Sequence, residues 1–350
     1  MIWGQSRVRI TGSIALVAIL FLQGCAAEQS SAPESTQEQV AEKPHKYNAE
    51  LSPAFAEPWP ELVTREEMIN TALYKANNYF ENLVDSQCEV KATMFFEDIM
   101  PPESIELAGD VSQKTLNSLC GFLTEDIHII AGNYDFVKET MAAEGLPTDE
   151  FGGVCGYDVK FDDGTACATN GVAWIGSQFG TVRRGSFIPE PRRITFITHE
   201  LFHLAHDSVD PDANSQIPPP EHPFFRPGWL IEGGGEFFGA LLPKVFEIQD
   251  YLTMLPYDRS GNFYEVEYLS DLESLERMKG SENYYSGQVA LEYITASVGI
   301  QPLLNIWIEM GKGKKFAQAF EKSIGLTVEE FYEKFAVMHD NLYEGEMVKP

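Results

Sequence analysis

Basic residues are scarce in this chain. Its 350 residues carry 25 Lys and Arg against 53 Asp and Glu, a formal charge of −28. A polyphosphate would be repelled by that surface rather than gathered, which excludes nucleic acid as a partner. Cysteine is also sparse, at five residues with no Cys-x-x-Cys spacing, so a cysteine-built metal site is disfavoured. Histidine is limited to seven residues, and no internal repeat is apparent. The apolar run Ile14–Leu22 falls far short of the roughly 20 residues that a permanent membrane span requires. What remains is 44% hydrophobic and 22% charged, a composition able to bury a core in one large domain or two modest ones.

Arg7 and Arg9 precede that short apolar run, the pattern of a signal peptide. It ends in Leu22-Gln23-Gly24-Cys25, which resembles the lipobox of bacterial lipoproteins. The resemblance implies a signal peptide over residues 1–24, with Cys25 diacylated and becoming the new N-terminus. It places the chain in the bacterial cell envelope, and Ala26 in place of Asp favours the outer membrane, facing periplasm or exterior. An ordinary secretory signal with an incidental cysteine is the alternative. Loss of the segment removes Arg7 and Arg9 and no acid, taking the charge from −28 to −30. The other cysteines, Cys88, Cys120, Cys155 and Cys167, form an even set in an exported chain, which points to two disulfides. Sequence neighbours would pair as Cys88–Cys120 and Cys155–Cys167, one of three connectivities. Residues 25–54, rich in Ala, Glu, Ser, Gln and Pro, read as a flexible tether.

Thr64-Arg65-Glu66-Glu67 is a capping-box pattern that opens a helix through Met68, Ala72, Ala76 and Phe80. Further helices are expected over Ser112–Gly121 and Asp126–Ala143. The region 55–150 is therefore expected to be mainly helical, with His128 a core residue. Between Gly152 and Phe187 the pattern alternates, with a hairpin about Asp162-Asp163-Gly164 and a strand over Gly171–Gly176. From Pro191 the pattern is helical almost to the end. Strands followed by helices make an α+β unit.

His199-Glu200-Leu201-Phe202-His203 carries the chemistry. On a helix, residues four apart share a face, so both imidazoles can reach one metal. Glu200 sits where a carboxylate can take a proton from activated water. Ile194, Phe196, Ile197, Leu201, Phe202 and Leu204 pack that helix deeply. A catalytic zinc needs a third protein ligand. A metzincin would place Gly at 206 and His or Asp at 209, but these positions hold His206 and Val209. His206 reads as a helix-end residue or one behind the ligands. Downstream, Pro227 begins a helix in which Glu232 and Glu236 fall one turn apart on one face. One carboxylate can ligate while the other supports a ligating imidazole. Gly233, Gly234 and Gly235 lie between them, at about 1 kcal/mol each relative to Ala in a helix. Close approach to the His199 helix would compensate.

His-Glu-Leu-Phe-His followed by Trp-Leu-Ile-Glu-Gly-Gly-Gly-Glu resembles the gluzincin clan of zinc metallopeptidases, whose catalytic core is closest here to bacterial collagenases and zinc aminopeptidases. The resemblance implies Zn2+ held by His199, His203 and Glu232, with Glu200 as general base and acid and Glu236 in support. Tyr284-Tyr285-Ser286-Gly287 is similar to the Tyr-x-x-Gly segment of zinc aminopeptidases, which implies Tyr284 as oxyanion donor, with Tyr285 in reserve. The implied fold is a zincin-like α+β domain over residues 151–345, with a small sheet, active-site helices and a helical C-terminal subdomain over Gln301–Phe335. The implied activity is peptide hydrolysis, on a peptide or protein substrate added as a strand beside Gly171–Gly176. The Gly-x-Met-Glu-Asn amine anchor of the aminopeptidases is missing, which favours an endopeptidase. Two alternatives stand beside it: an outer-membrane zincin-fold lipoprotein acting as chaperone or assembly factor, and a zinc hydrolase of another bond.

Overall fold

The computed structural model describes residues 64–81, 90–98, 100, 102–119, 122–123, 125–146, 166–169, 171–176, 190–209, 225–245, 250–254, 267–273 and 281–341. Trp59 and short strand segments at 8–10, 182–183 and 186–187 are described as well. The first helix, α1 (Arg65–Glu81), starts where the Thr64 hydroxyl accepts the Glu67 N–H at 3.1 Å, the cap that its sequence predicts. The second, α2, begins at Pro102 rather than Ser112 and runs to Leu119.

The segment expected as one helix over Asp126–Ala143 is instead a strand followed by a helix, β3 (Ile127–Gly132) and α3 (Tyr134–Glu144). Asn133 caps α3 by accepting the Phe136 N–H, and Gly145 at φ 71° ends it. The strand lies between β2 (Ala92–Phe96) and β5 (Val172–Gly176), parallel to both. Ile129 and Ile130 point to opposite faces, and both are completely buried. A parallel strand covered on both sides has no polar alternation, so its apolar run reads equally well as helix.

The sheet has the order β1-β2-β3-β5-β4, with β1 (Val8–Ile10) and β4 (Ala166–Thr169) as antiparallel edges. A two-residue pairing joins β6 (Val182–Arg183) to β7 (Ser186–Phe187). Because β2 pairs with β3 and β3 with β5, the region before residue 150 contributes central strands to the same sheet as the region after it. The two sheet faces are separate cores. Phe95, Ile130, Val137, Met141, Val172 and Trp174 pack together on the α3 side. Phe96, Ile129, Ala131, Ala173 and Ile175 join the large core formed with the helices that follow.

Those helices are α4 (Glu190–Val209), α5 (Gly228–Val245), α6 (Tyr251–Met254), α7 (Ser281–Val298), α8 (Ile300–Gly311), α9 (Phe316–Ile324) and α10 (Val328–His339). The last three cover the helical stretch expected over Gln301–Phe335. Gly325 takes φ 78° to end α9, and Thr327 with Glu330 forms a reciprocal cap on α10. The first helix is built into this assembly: Lys75 Nζ donates to the last carbonyls of α7, Ala296 O at 2.8 Å and Ser297 O at 2.9 Å. Arg65 lies 3.5 Å from Glu292 of the same helix, both side chains buried.

Among the described residues no single helix is long and apolar enough to cross a membrane. Apart from β1, the expected leader and the whole of the tether lie outside the described residues, as do the hairpin about 162–164 and Cys25, Cys88, Cys120 and Cys155. Cys167 is disulfide-bonded, to a partner outside them.

Candidate metal centre

Helix α4 buries Ile194, Ile197, Leu201, Leu204 and Ala205 almost completely, which turns the His199–His203 face toward α5. The buried Thr198 hydroxyl lies 2.8 Å from Gly239 O and ties the two helices together. Each glycine of the triplet makes room for a different neighbour. A Cβ on Gly233 would strike the backbone of Gly287 on α7, at 2.5 Å from its Cα. One on Gly234 would come within 2.6 Å of the Phe202 ring, and one on Gly235 within 2.6 Å of the His199 ring. The triplet therefore admits both neighbouring helices, not the His199 helix alone.

This approach closes the site. His199 Nε2 and His203 Nε2 stand 2.9 Å apart, and Glu232 Oε2 lies 3.5 Å from the first and 3.6 Å from the second. Ligand atoms about 2.0–2.2 Å from a tetrahedral zinc lie roughly 3.3 Å from one another. Two nitrogens and one carboxylate oxygen at these separations, on helices with no loop between ligand and scaffold, fit that ion. Glu236 Oε1 lies 3.6 Å from His199 Nδ1, on the side of the ring away from the other two ligands. It can hold the ring's orientation, as carboxylates behind metal-bound imidazoles do. Of the two carboxylates, Glu232 is the one within reach of both Nε2 atoms, so it could complete a metal site with the two imidazoles while Glu236 backs the His199 ring.

The electrostatics tell the same story. Burial pulls the His199 pKa down, but hydrogen bonding to Glu232 and Glu236 outweighs it and raises the value to about 10. Burial pushes Glu232 up, yet the two imidazoles hold its carboxyl well below the usual range. Glu200 is buried beside them, and that burial raises its pKa against the opposing pull of His199 and His203. A carboxylate poised upward is a better proton acceptor than an ordinary one.

Tyr284 reaches the site from α7, its ring nearly parallel to His199 with centroids 6.2 Å apart. Burial, and then Glu232, Glu200 and Glu236, push its pKa well above 10, so it stays a phenol able to donate. Tyr285 turns the other way into the core, under the Arg65 guanidinium 4.9 Å from its ring centroid, and is no reserve for this role. His206 is also buried apart from the ligands, packed between Phe202 and Trp307. Burial, with His203 and Arg226, lowers its pKa to about 3 and keeps it neutral. Thr198 and Gly239 were not distinguishable from ordinary helix residues in the sequence.

Fold and site define an α+β chain, mostly helical with a small mixed sheet, that carries a His-His-Glu centre capable of holding a metal. No family model and no curated protein matches the chain. Two solved structures of the M1 zinc metallopeptidase from Deinococcus radiodurans are similar to it at 12% identity. One, of a single-residue variant, has a TM-score of 0.39 and covers 76% of this chain and 51% of that one. The other has a TM-score of 0.36, with 72% and 49% covered. The chain spans about half the length of those enzymes, and at that distance only its own geometry speaks for the individual residues.

Proposed function

We infer that the chain is a zinc-dependent peptidase, acting as an endopeptidase on peptide or protein substrates. One observation carries this reading: three ligand atoms from His199, His203 and Glu232 lie within 4.8 Å of one another, with Glu200 buried at their side. Zinc, when held there, supplies the Lewis acid that acidifies water and polarises a carbonyl. Glu200 takes the proton of the attacking water and delivers it to the leaving amine. Tyr284 donates to the carbonyl oxygen as its negative charge grows. Glu236 keeps the His199 ring in register. A purely structural site would have no use for a buried Glu200.

The strand expected to receive the substrate is the wrong one. β5 is paired on both edges, by β3 and β4, so no backbone group is left for an added chain. Among the described residues its neighbour β4 forms the sheet edge and lies against α4, which makes that edge the better dock. The lipobox-like Leu22-Gln23-Gly24-Cys25 supports a lipid-anchored enzyme of the bacterial envelope, with residues 25–54 as tether; loss of the leader would take β1 with it and leave β2 as that edge of the sheet.

The test is zinc stoichiometry together with turnover of a mixed peptide library by wild type and Glu200→Gln. One zinc per chain is expected in both, with turnover in the variant down by about 10²–10⁴-fold. Equal turnover would overturn the mechanism. Zinc without turnover in the wild type would favour a binding or chaperone role, and turnover of other bonds alone a different hydrolase.

A further inference from the structure

The helix that carries Glu232 is weak by sequence. It opens Gly-Trp-Leu-Ile-Glu-Gly-Gly-Gly, and four of those eight residues are glycine, each about 1 kcal/mol poorer than Ala in a helix. Pro227 before it has no side-chain acceptor with which to cap the first free N–H groups. The structure supplies a grip from elsewhere. Glu273, just past the 3-10 turn Leu269–Leu272, accepts the Gly228 N–H on its backbone oxygen at 2.8 Å. Its carboxylate accepts the Tyr332 hydroxyl of α10 at 2.9 Å, and that oxygen in turn accepts Trp229 Nε1–H at 2.9 Å. Glu273 thus holds the first turn of α5 twice, once by its backbone and once through Tyr332.

The direction of the chain is fixed. An indole N–H can only donate and a carboxylate can only accept, so the phenol between them must do both. Burial and the Glu273 charge hold the Tyr332 hydroxyl in its protonated form. Trp229 is completely buried, so removing the Tyr332 hydroxyl takes away the partner its N–H has here. The indole lies three residues before Glu232, less than one helical turn away.

Resting on the zinc reading above, we propose that Glu273 and Tyr332 are positioning residues for the third metal ligand: they set the first turn of α5, and through it the reach of Glu232 to His199 and His203. Neither touches the metal or the substrate. The C-terminal helix α10 is thereby coupled to the metal centre.

The experiment measures zinc affinity by chelator competition, and thermal stability with and without zinc, for wild type, Tyr332→Phe, Glu273→Ala and Glu273→Gln. Tyr332→Phe and Glu273→Ala are expected to weaken zinc binding by about tenfold, the low end for residues behind a metal's ligands. The rise in Tm on adding zinc should shrink with it. Glu273→Gln keeps an acceptor for Tyr332 and should restore affinity to within about twofold of wild type. Equal loss of Tm with and without zinc, at unchanged affinity, would make the chain a structural tie only and overturn the proposal. So would a Glu273→Gln protein as weak as Glu273→Ala. If Tyr332→Phe does not fold, the Glu273 pair decides alone. A wild type that binds no zinc overturns the zinc reading itself, a result separate from any difference among the variants.

Discussion

Tyr284→Phe removes one oxygen from the wall of the metal centre and leaves its ring stacked beside His199. If that oxygen meets negative charge only as the reaction proceeds, kcat should fall by about 10²–10³-fold while KM barely moves. Steady-state kinetics on a cleaved library peptide would show it, with Tyr285→Phe as the comparison because that ring belongs to the core. His199 gives a second test at this scale. In the metal-free protein its pKa stands near 10 against an ordinary 6.5. A raised value means that its charged form stabilises the fold fully below pH 6.5, and that this contribution drains away as pH climbs toward about 10. The Tm of chelator-treated protein should therefore fall across that window, whereas zinc-loaded protein, its imidazoles already deprotonated, should not follow the same slope. A flat metal-free profile would contradict the pairing of His199 with Glu232 and Glu236.

Helices, unlike single residues, meet through their surfaces, and here the glycines decide how closely. Gly235→Ala would put a methyl 2.6 Å from the His199 ring, so α4 and α5 must part or the imidazole must turn. Overpacking of this kind costs about 1–3 kcal/mol. The expected result is lower zinc affinity with the helical circular dichroism retained. The metal helices were legible in the sequence because a period of 3.6 residues places His199 with His203, and Glu232 with Glu236, whatever their surroundings. The sheet was less so. β2 gave no usable signal, and Ile127-His128-Ile129-Ile130 hid as a helix because the cores on both sides of the sheet bury both its faces. Which of Glu232 and Glu236 ligates was likewise undecided by spacing alone, since both lie on one face. Only the approach of α4 separates them.

At the scale of the whole molecule, the region before residue 150 is not a detachable cover for the catalytic part. Its strands β2 and β3 are central to the sheet, and α1 is bound to α7 through Arg65 and Lys75. Arg65→Ala would leave Glu292 buried with Tyr251 and Gln288 as its side-chain partners among the described residues, a loss of about 3–5 kcal/mol by analogy with other broken buried pairs. Chemical denaturation measures it, and a loss under 1 kcal/mol would show that α1 is held by apolar packing alone. The sequence could not reveal this union, because contacts between residues 65 and 292 depend on topology rather than on local pattern.

The crossing of α5 and α7 sets a rule for inheritance. At Gly233 and Gly287 the two backbones meet with no side chain between them, so every codon change that adds even a methyl pushes Glu232 and Tyr284 apart. A descendant may redraw its surface, its tether and its substrate edge. Keeping this close crossing of α5 and α7 means keeping both glycines together.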